Sequence, residues 1–190
     1  MFIMLATGKG APPEIGDYSQ VMASESSITG AGREFDELVG ELDYPMFIVT
    51  TRAGDELGGC LIGFATQCSI DPPRFLVCLS DKNRTTRLAQ EAEAVAVHFV
   101  PAAATKLAEL FGGQTGDEVD KFAHCNWHEG PKGLPILDAC DNWFAATIRA
   151  RHPLGDHIAF LLDPIEAQAG TPFDEFTFHR ARRIDPGHEA

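Results

Sequence analysis

The chain has 190 residues, of which 44% are hydrophobic and 23% charged, as is usual for a globular protein of one domain. Lys and Arg number 15 against 28 Asp and Glu, a net charge of −13 that repels nucleic acid and anionic membrane surfaces. No apolar run approaches the ~20 residues that span a bilayer. The five cysteines include no CxxC pair, so we expect a cytoplasmic protein with reduced thiols.

An extension of 33 residues is predicted ahead of a single domain at 34–190. Residues 8–32 are rich in Gly, Pro and Ser and show no sustained hydrophobic period. Apolar residues at 35, 38, 39 and 42 then predict a short helix over 35–42.

Strands dominate the remainder of the chain. Apolar and β-branched runs predict strands at 46–51, 60–70, 74–80, 94–100, 143–150 and 157–162, with 173–178 as a candidate seventh. Helices are predicted at 83–93, with Asn83 as its N-cap, and at 102–111, while 116–133 is expected to be loop-rich. Regular βαβ alternation is absent, so we predict a mainly β protein whose barrel has helices packed outside it.

The predicted strand at 60–70 is the most informative segment. Side chains alternate across a strand, so Leu61, Gly63, Ala65, Gln67 and Ser69 form one face of mostly small residues. A glycine within a strand marks the close approach of a ligand or of another backbone, or else a bulge or a tight bend of the barrel. A flat ring could lie against the main chain here, and both readings stay open.

A second candidate segment lies where a strand ends and a helix begins. Free N–H groups at a helix N-terminus attract anions, and three cations and two hydroxyls lie close by. The segment is therefore a candidate phosphate-binding loop or a solvated helix start. It comprises Ser80, Asp81, Lys82, Asn83, Arg84, Thr85, Thr86 and Arg87.

The remaining motifs are weaker. The turn Gly155-Asp156-His157 presents a histidine that could donate a hydrogen bond or a proton near neutral pH. His124 and His128 flank Cys125, but a structural zinc site needs about four ligands and no second cluster supplies them. We therefore predict no metal site. No GxSxG motif supports a serine nucleophile.

Taken in order, several motifs resemble the flavin reductase-like proteins that have the FMN-binding split-barrel fold. The resemblance covers roughly residues 35–167. The matching segments are CLIGFATQCSIDPPR at 60–74, FLVCLSDKNRTTRLA at 75–89, DKF at 120–122, GLPIL at 133–137 and GDH at 155–157.

The resemblance implies a homodimeric split barrel that binds FMN or FAD. The flavin-contacting strand of the family matches Leu61, Ile62, Gly63, Phe64 and Ala65, largely through main-chain groups. The phosphate loop matches Ser80, Asp81, Lys82, Asn83, Arg84 and Thr85, and the histidine near the nicotinamide matches His157. The chain departs from the family where Leu61-Ile62-Gly63-Phe64 replaces the usual Thr-x-Asn-Ser.

The resulting hypothesis is a flavin oxidoreductase that uses NADH or NADPH. Hydride would pass from the nicotinamide C4 to the flavin N5, and the reduced flavin could serve a monooxygenase partner, a step that only the resemblance implies. The first alternative is a flavin-binding protein or redox relay without reductase turnover. Others are a purely structural barrel and a barrel that binds a deazaflavin or a haem.

Overall fold

The computed structural model describes residues 30–185. Within them lie helices α1 (Gly30–Gly40), α2 (Arg84–Glu91), α3 (Thr105–Gly113) and α4 (Phe178–Ala181). The strands are β1 (Phe47–Ala53), β2 (Glu56–Ile62), β3 (Ala65–Ile70), β4 (Pro73–Ser80), β5 (Ala94–Phe99), β6 (Trp127–Glu129), β7 (Pro135–Leu137), β8 (Trp143–Leu154) and β9 (His157–Gln168).

Seven of the strands form one antiparallel sheet in the order β2-β1-β5-β8-β9-β4-β3, and β6 and β7 form a small second sheet. The two edge strands of the large sheet, β2 and β3, are consecutive in the chain and are separated only by Gly63 and Phe64. Because two residues cannot cross a flat sheet of seven strands, the sheet must curl until its edges meet. The predicted mainly β fold with a barrel and flanking helices is confirmed, and the barrel is split rather than closed.

The predicted continuous strand at 60–70 is wrong, because the chain bends at Gly63 and Phe64 and starts a new strand at Ala65. The amide of Ala65 donates to the carbonyl of Gly63 (3.0 Å), and the amide of Cys78 in β4 donates to the carbonyl of Phe64 (2.8 Å). The bend also changes which face each side chain occupies. Ala65 packs against the cluster inside the barrel, whereas Gly63 faces Tyr44.

Other predicted boundaries also differ from the structure. Residues 173–178 form isolated bridges, Pro45 with Thr177 and Pro101 with Glu175, and lead into α4 rather than forming a strand. Strands β8 and β9 extend well beyond their predicted ends. Their outer halves are largely exposed, so they lack the continuous apolar run from which the strands were predicted. The predicted extension at 1–33 lies almost wholly outside the described residues, and the boundary at residue 34 stays a prediction.

Three apolar clusters stabilise the described part of the chain, and two of them pack against β2. The inner cluster joins residues of β1, β2, β4, β5, β8 and β9 to Ala89 of α2. The outer cluster packs Phe111 of α3 and Phe122 against the opposite face of β1 and β2. Strand β2 therefore lies between the two clusters at the edge of the sheet. None of the helices within the described residues is long and apolar enough to cross a membrane.

His98 of β5 is fully buried and joins three parts of the fold. Its Nδ1 lies 3.0 Å from the carbonyl of Ile48 in β1, and its Nε2 accepts from the amide of Leu137 in β7 (3.1 Å). Since Nε2 accepts, Nδ1 carries the proton and donates, so the ring is neutral. Burial lowers the pKa of His98 to about 4.

The pKa of His98 predicts a loss of stability in mild acid. Between pH 6.5 and about 4 the unfolded chain binds a proton that the folded chain excludes, so this contribution to the free energy of unfolding falls as the pH falls. The expected loss between pH 7 and pH 5 is about 2 kcal/mol. In urea denaturation, the free energy of unfolding of the His98→Gln variant should depend less on pH than that of the wild type. The exposed control, His124→Gln, should keep the pH dependence of the wild type. Equal slopes in all three proteins would contradict this role.

Candidate functional site

A cleft of about 240 Å³ lies where the two edges of the sheet meet. Its walls come from the end of β2, the end of β4, the N-cap of α2, the start of β9 and two aromatic residues outside the sheet. The sequence motifs that predicted the site are far apart in the chain, yet the structure brings them to this one cleft. The predicted residues that line it are Leu61, Ile62, Gly63, Phe64, Ser80, Asn83 and His157.

The free edge of β2 presents main-chain groups to this region. Arg84 Nη1 donates to the carbonyl of Leu57 (2.8 Å), and Lys121 Nζ donates to the carbonyl of Gly59 (3.1 Å). Backbone groups repeat their direction every second residue of a strand, so the main chain of Leu61 faces the same edge, inside the cleft. The structure therefore places donor and acceptor groups of the main chain where the sequence predicted contacts with a flat ring.

Lys121 is a residue that the sequence reading did not single out, although it lies in the DKF motif. It is 5% exposed, and its Nζ also donates to the carbonyl of Phe111 (3.1 Å). Burial lowers the pKa of its ammonium group, and the two carbonyls compensate part of the lost hydration. Lys121 thus fastens α3 to the edge of β2.

Gly63 is closely covered by an aromatic ring of the chain itself. A Cβ atom at this position would lie 2.5 Å from Cε2 of Tyr44 and 3.2 Å from Sδ of Met46. Of the alternatives that the sequence left open, the bend of the barrel occurs at Gly63. The approaching group is the ring of Tyr44, so a planar ligand would have to share the cleft with it.

The junction of β4 and α2 is held by its own hydrogen bonds. Asn83 Oδ1 accepts from the amide of Thr85 (2.9 Å), and Thr86 Oγ1 donates to the carbonyl of Ser80 (2.6 Å). Thr85 is 2% exposed, and its hydroxyl is a hydrogen-bond partner of the Cys60 thiol, whose pKa burial raises to about 11. The predicted N-cap is confirmed, and the Thr85 hydroxyl faces the interior.

Arg84 and Arg87, near the start of α2, bind carboxylates. Arg84 Nη2 lies 2.6 Å from Glu56, and Arg87 Nη2 lies 2.5 Å from Asp117. Asp117 is also 3.9 Å from Nε of Arg84. Neither arginine lines the cleft.

The register of β4 and β9 brings the GDH turn to the same junction. Ser80 pairs with His157, and the amide of Asp81 donates to the carbonyl of Asp156 (3.0 Å). Gly155 supplies the positive φ of +67° that this tight turn requires. His157 Nδ1 lies 2.8 Å from Oδ1 of Asp156. This hydrogen bond, followed by the charges of His157 and Lys82, lowers the pKa of the Asp156 carboxyl.

Two aromatic residues of the cleft were missed by the sequence reading, which placed Tyr44 at a helix end and Phe178 in a strand. Their rings stack at 4.8 Å with an interplanar angle of 14°. The amide of Phe178 donates to the carbonyl of Tyr44 (2.9 Å), and the amide of His179 donates to Asp43 (2.9 Å). No local pattern signals this contact, since its partners lie at opposite ends of the domain.

The described residues contain no group of three or more His, Cys, Asp or Glu side chains that could hold a metal ion. His128 instead lies 2.7 Å from Oδ1 of Asp138.

The sequence model of a protein family, the flavin reductase like domain, matches residues 39–185. The chain therefore belongs to this family. It is 26% identical over 147 residues to the high molecular weight rubredoxin of Moorella thermoacetica, an alignment that covers 75% of this chain and 64% of the relative. It is 27% identical over 123 residues to the FMN reductase (NADH) RutF of Klebsiella pneumoniae, with coverage of 65% and 74%.

A similar solved structure is an FMN-binding protein of Thermus thermophilus, crystallised with 1-cyclohex-2-enone. It has a TM-score of 0.63 and 27% identity, and the alignment covers 67% of this chain and 71% of that one. The predicted family and its split-barrel fold are thereby confirmed. The chain spans between 37% and 64% of the length of the first curated relatives that it matches.

The contact at Gly63 predicts that even one methyl group is costly there. Gly63→Ala should displace the Tyr44–Phe178 stack and lower the free energy of unfolding by about 1–3 kcal/mol, measured by urea denaturation. The matched control is Gly40→Ala, where a Cβ would meet no atom within 4 Å. In a Tyr44→Ala background the same change at Gly63 should cost little. An equal cost in both backgrounds would remove Tyr44 as the cause.

Proposed function

We propose that the chain is a flavin oxidoreductase that uses NADH or NADPH to reduce FMN or FAD. The observation that carries the proposal is the convergence on one cleft of residues from three separate motifs, namely 61–64, Ser80 with Asn83, and His157. A protein that used this barrel only as a scaffold would not need these segments together. The similarity to an FMN reductase (NADH) over two thirds of the chain supports the same reading.

The residues of the cleft fit the chemistry of a flavin. An isoalloxazine ring is planar and apolar on both faces, with polar atoms along one edge. The cleft offers aromatic walls from Tyr44 and Phe178 and main-chain groups at the β2 edge. Ligand pockets usually enclose about 300–1,000 Å³, and this cleft encloses about 240 Å³. A bound flavin ring would therefore fill the cleft and displace the side chains that line it.

Each predicted residue then has a distinct task. The main chain of 61–65 would hold the polar edge of the ring. Lys82, Asn83 and the start of α2 would hold the phosphate, because helix N-termini favour anions. His157, oriented by Asp156, would place the nicotinamide. When bound, the flavin accepts the hydride at N5, and the protein supplies orientation, which can be worth ~7–11 kcal/mol.

The finer features of the proposal concern assembly and location. We propose a homodimer, and a monooxygenase that consumes the reduced flavin, because the family resemblance implies both. We also propose a cytoplasmic location, since the five cysteines are free thiols, which suits a reducing compartment.

A second candidate function is a flavin-binding redox relay without nicotinamide turnover. Two observations favour it. The chain is similar to a high molecular weight rubredoxin, and Leu61-Ile62-Gly63-Phe64 lacks the polar side chains that the family usually carries there.

Anaerobic mixing of the protein with FMN or FAD and with NADH or NADPH distinguishes the two candidates. The reductase should bleach the flavin absorbance near 450 nm with at least one nucleotide. His157→Ala should slow this bleaching about tenfold or more while it changes flavin affinity less than twofold, because His157 positions the co-substrate. Flavin binding without bleaching would leave only the relay, and a protein that binds no flavin would exclude both.

Lys82→Ala tests the phosphate end of the site. Loss of a charged contact should weaken FMN binding about three- to tenfold and leave riboflavin binding within twofold, since riboflavin has no phosphate. Titration by fluorescence quenching measures both affinities. Lys106→Ala is the matched control, because Lys106 is an exposed lysine on α3 that lines a different cavity. Equal losses for both flavins would place the phosphate elsewhere.

A further inference from the structure

Phe64 is a large aromatic residue at the cleft that neither a packing role nor the proposed roles explain. Its side chain is 56% exposed, yet it lines the cleft with His157. Its main chain is fixed by the 2.8 Å hydrogen bond from the amide of Cys78 and by the bend at Gly63. The ring is therefore presented to the cleft from a fixed backbone.

The ring of Phe64 lies beside that of His157. Their centroids are 5.1 Å apart and the rings are tilted by 55°. His157 is itself oriented by Asp156 through the 2.8 Å contact of its Nδ1. Both rings line the cleft. A six-membered ring bound on the side of the imidazole that adjoins Phe64 would therefore contact both residues.

We propose that the face of Phe64 packs against the nicotinamide and stabilises the positive charge that develops on it as hydride leaves. This inference rests on the proposed function and names a further residue for it. The reduced nicotinamide is neutral. When its C4–H bond breaks, the bond's electron pair leaves with the hydride to form the N–H bond at flavin N5, and the ring becomes a pyridinium cation.

Aromatic faces attract cations through the negative face of the ring quadrupole, with Trp stronger than Tyr or Phe. A contact that is stronger with the cation than with the neutral ring strengthens toward the transition state, so it accelerates the reaction. The neighbouring Asp156 has a carboxyl with a lowered pKa that stays ionised. Its negative charge also stabilises the positive charge on the nicotinamide. The chain's departure from the polar Thr-x-Asn-Ser pattern thus places an aromatic face next to its nicotinamide histidine.

The test is a graded series at position 64: Phe64→Trp, Phe64→Tyr and Phe64→Leu. Hydride transfer is followed as anaerobic single-turnover bleaching of FMN at saturating NADH or NADPH, whichever nucleotide the wild type uses. Leu should slow it about three- to fivefold, Tyr should match the wild type, and Trp should match or exceed it. The oxidised form of that nucleotide should also lose about three- to fivefold in affinity in the Leu variant, whereas its reduced form should change less.

Three controls separate this contact from other effects. AMP, which lacks the nicotinamide, should inhibit all variants equally. Phe35→Leu removes a similarly exposed phenylalanine on α1 (62% exposed) and should leave every rate unchanged. Flavin affinity should stay within twofold across the series.

Each of the following three results would overturn the proposal. A Leu variant with the wild-type hydride-transfer rate would show that Phe64 does not face the reacting ring. A loss confined to flavin affinity would make Phe64 a wall for the flavin instead. Equal weakening of the oxidised and reduced nucleotides would leave simple packing without charge stabilisation. A wild type that binds flavin but never bleaches it would remove the reductase function itself, which is a separate failure.

Discussion

The meeting of the two sheet edges at Gly63 and Phe64 determines most of this structure. A sheet of seven strands would be more than 25 Å wide if it were flat, and a two-residue connection cannot reach across it. The sheet therefore curls, and the free edges of β2 and β3 come together without pairing to each other along their length. The hydrogen bond from Cys78 to Phe64 fixes β4 to this connection. The cleft is a direct consequence, because it lies where the edges meet and remain unpaired.

The sequence predicts well those features whose residues are neighbours in the chain. Asn83 caps α2 because its side chain accepts from an amide two residues later, and β5 is recognisable because its apolar run is continuous. The break at Gly63 was not predictable from alternation, since apolar and small residues continue through it and only the closure of the sheet requires the bend. The stack of Tyr44 on Phe178 was equally hidden, because nothing in either segment signals the other.

Two of the candidate-site motifs lie side by side in the structure. The β4–β9 register brings Ser80 to His157, so two short motifs become adjacent whatever the exact ends of their strands. The motifs could not show in which direction their side chains point. Arg84 and Arg87 belong to the phosphate-loop segment in sequence, but Glu56 of β2 and Asp117 of the loop after α3 bind them. In a chain of net charge −13, most cations have such partners within reach, so a local count of basic residues overstates what remains for an anion.

The same carboxylate-bound arginine lies beside the first half of β2, where a second cavity of about 560 Å³ runs along residues 56–59. An exposed strand edge offers a row of main-chain groups to any partner. On β2 the first two outward carbonyls, at Leu57 and Gly59, are covered by Arg84 and by the buried Lys121. Both cations are fixed from behind, Arg84 by Glu56 and Lys121 by the Phe111 carbonyl. From Leu61 onward the edge lines the cleft instead, next to the aromatic residues and His157. The two cations therefore occupy the outward carbonyls of Leu57 and Gly59, and they leave the main chain from Leu61 onward to face the cleft.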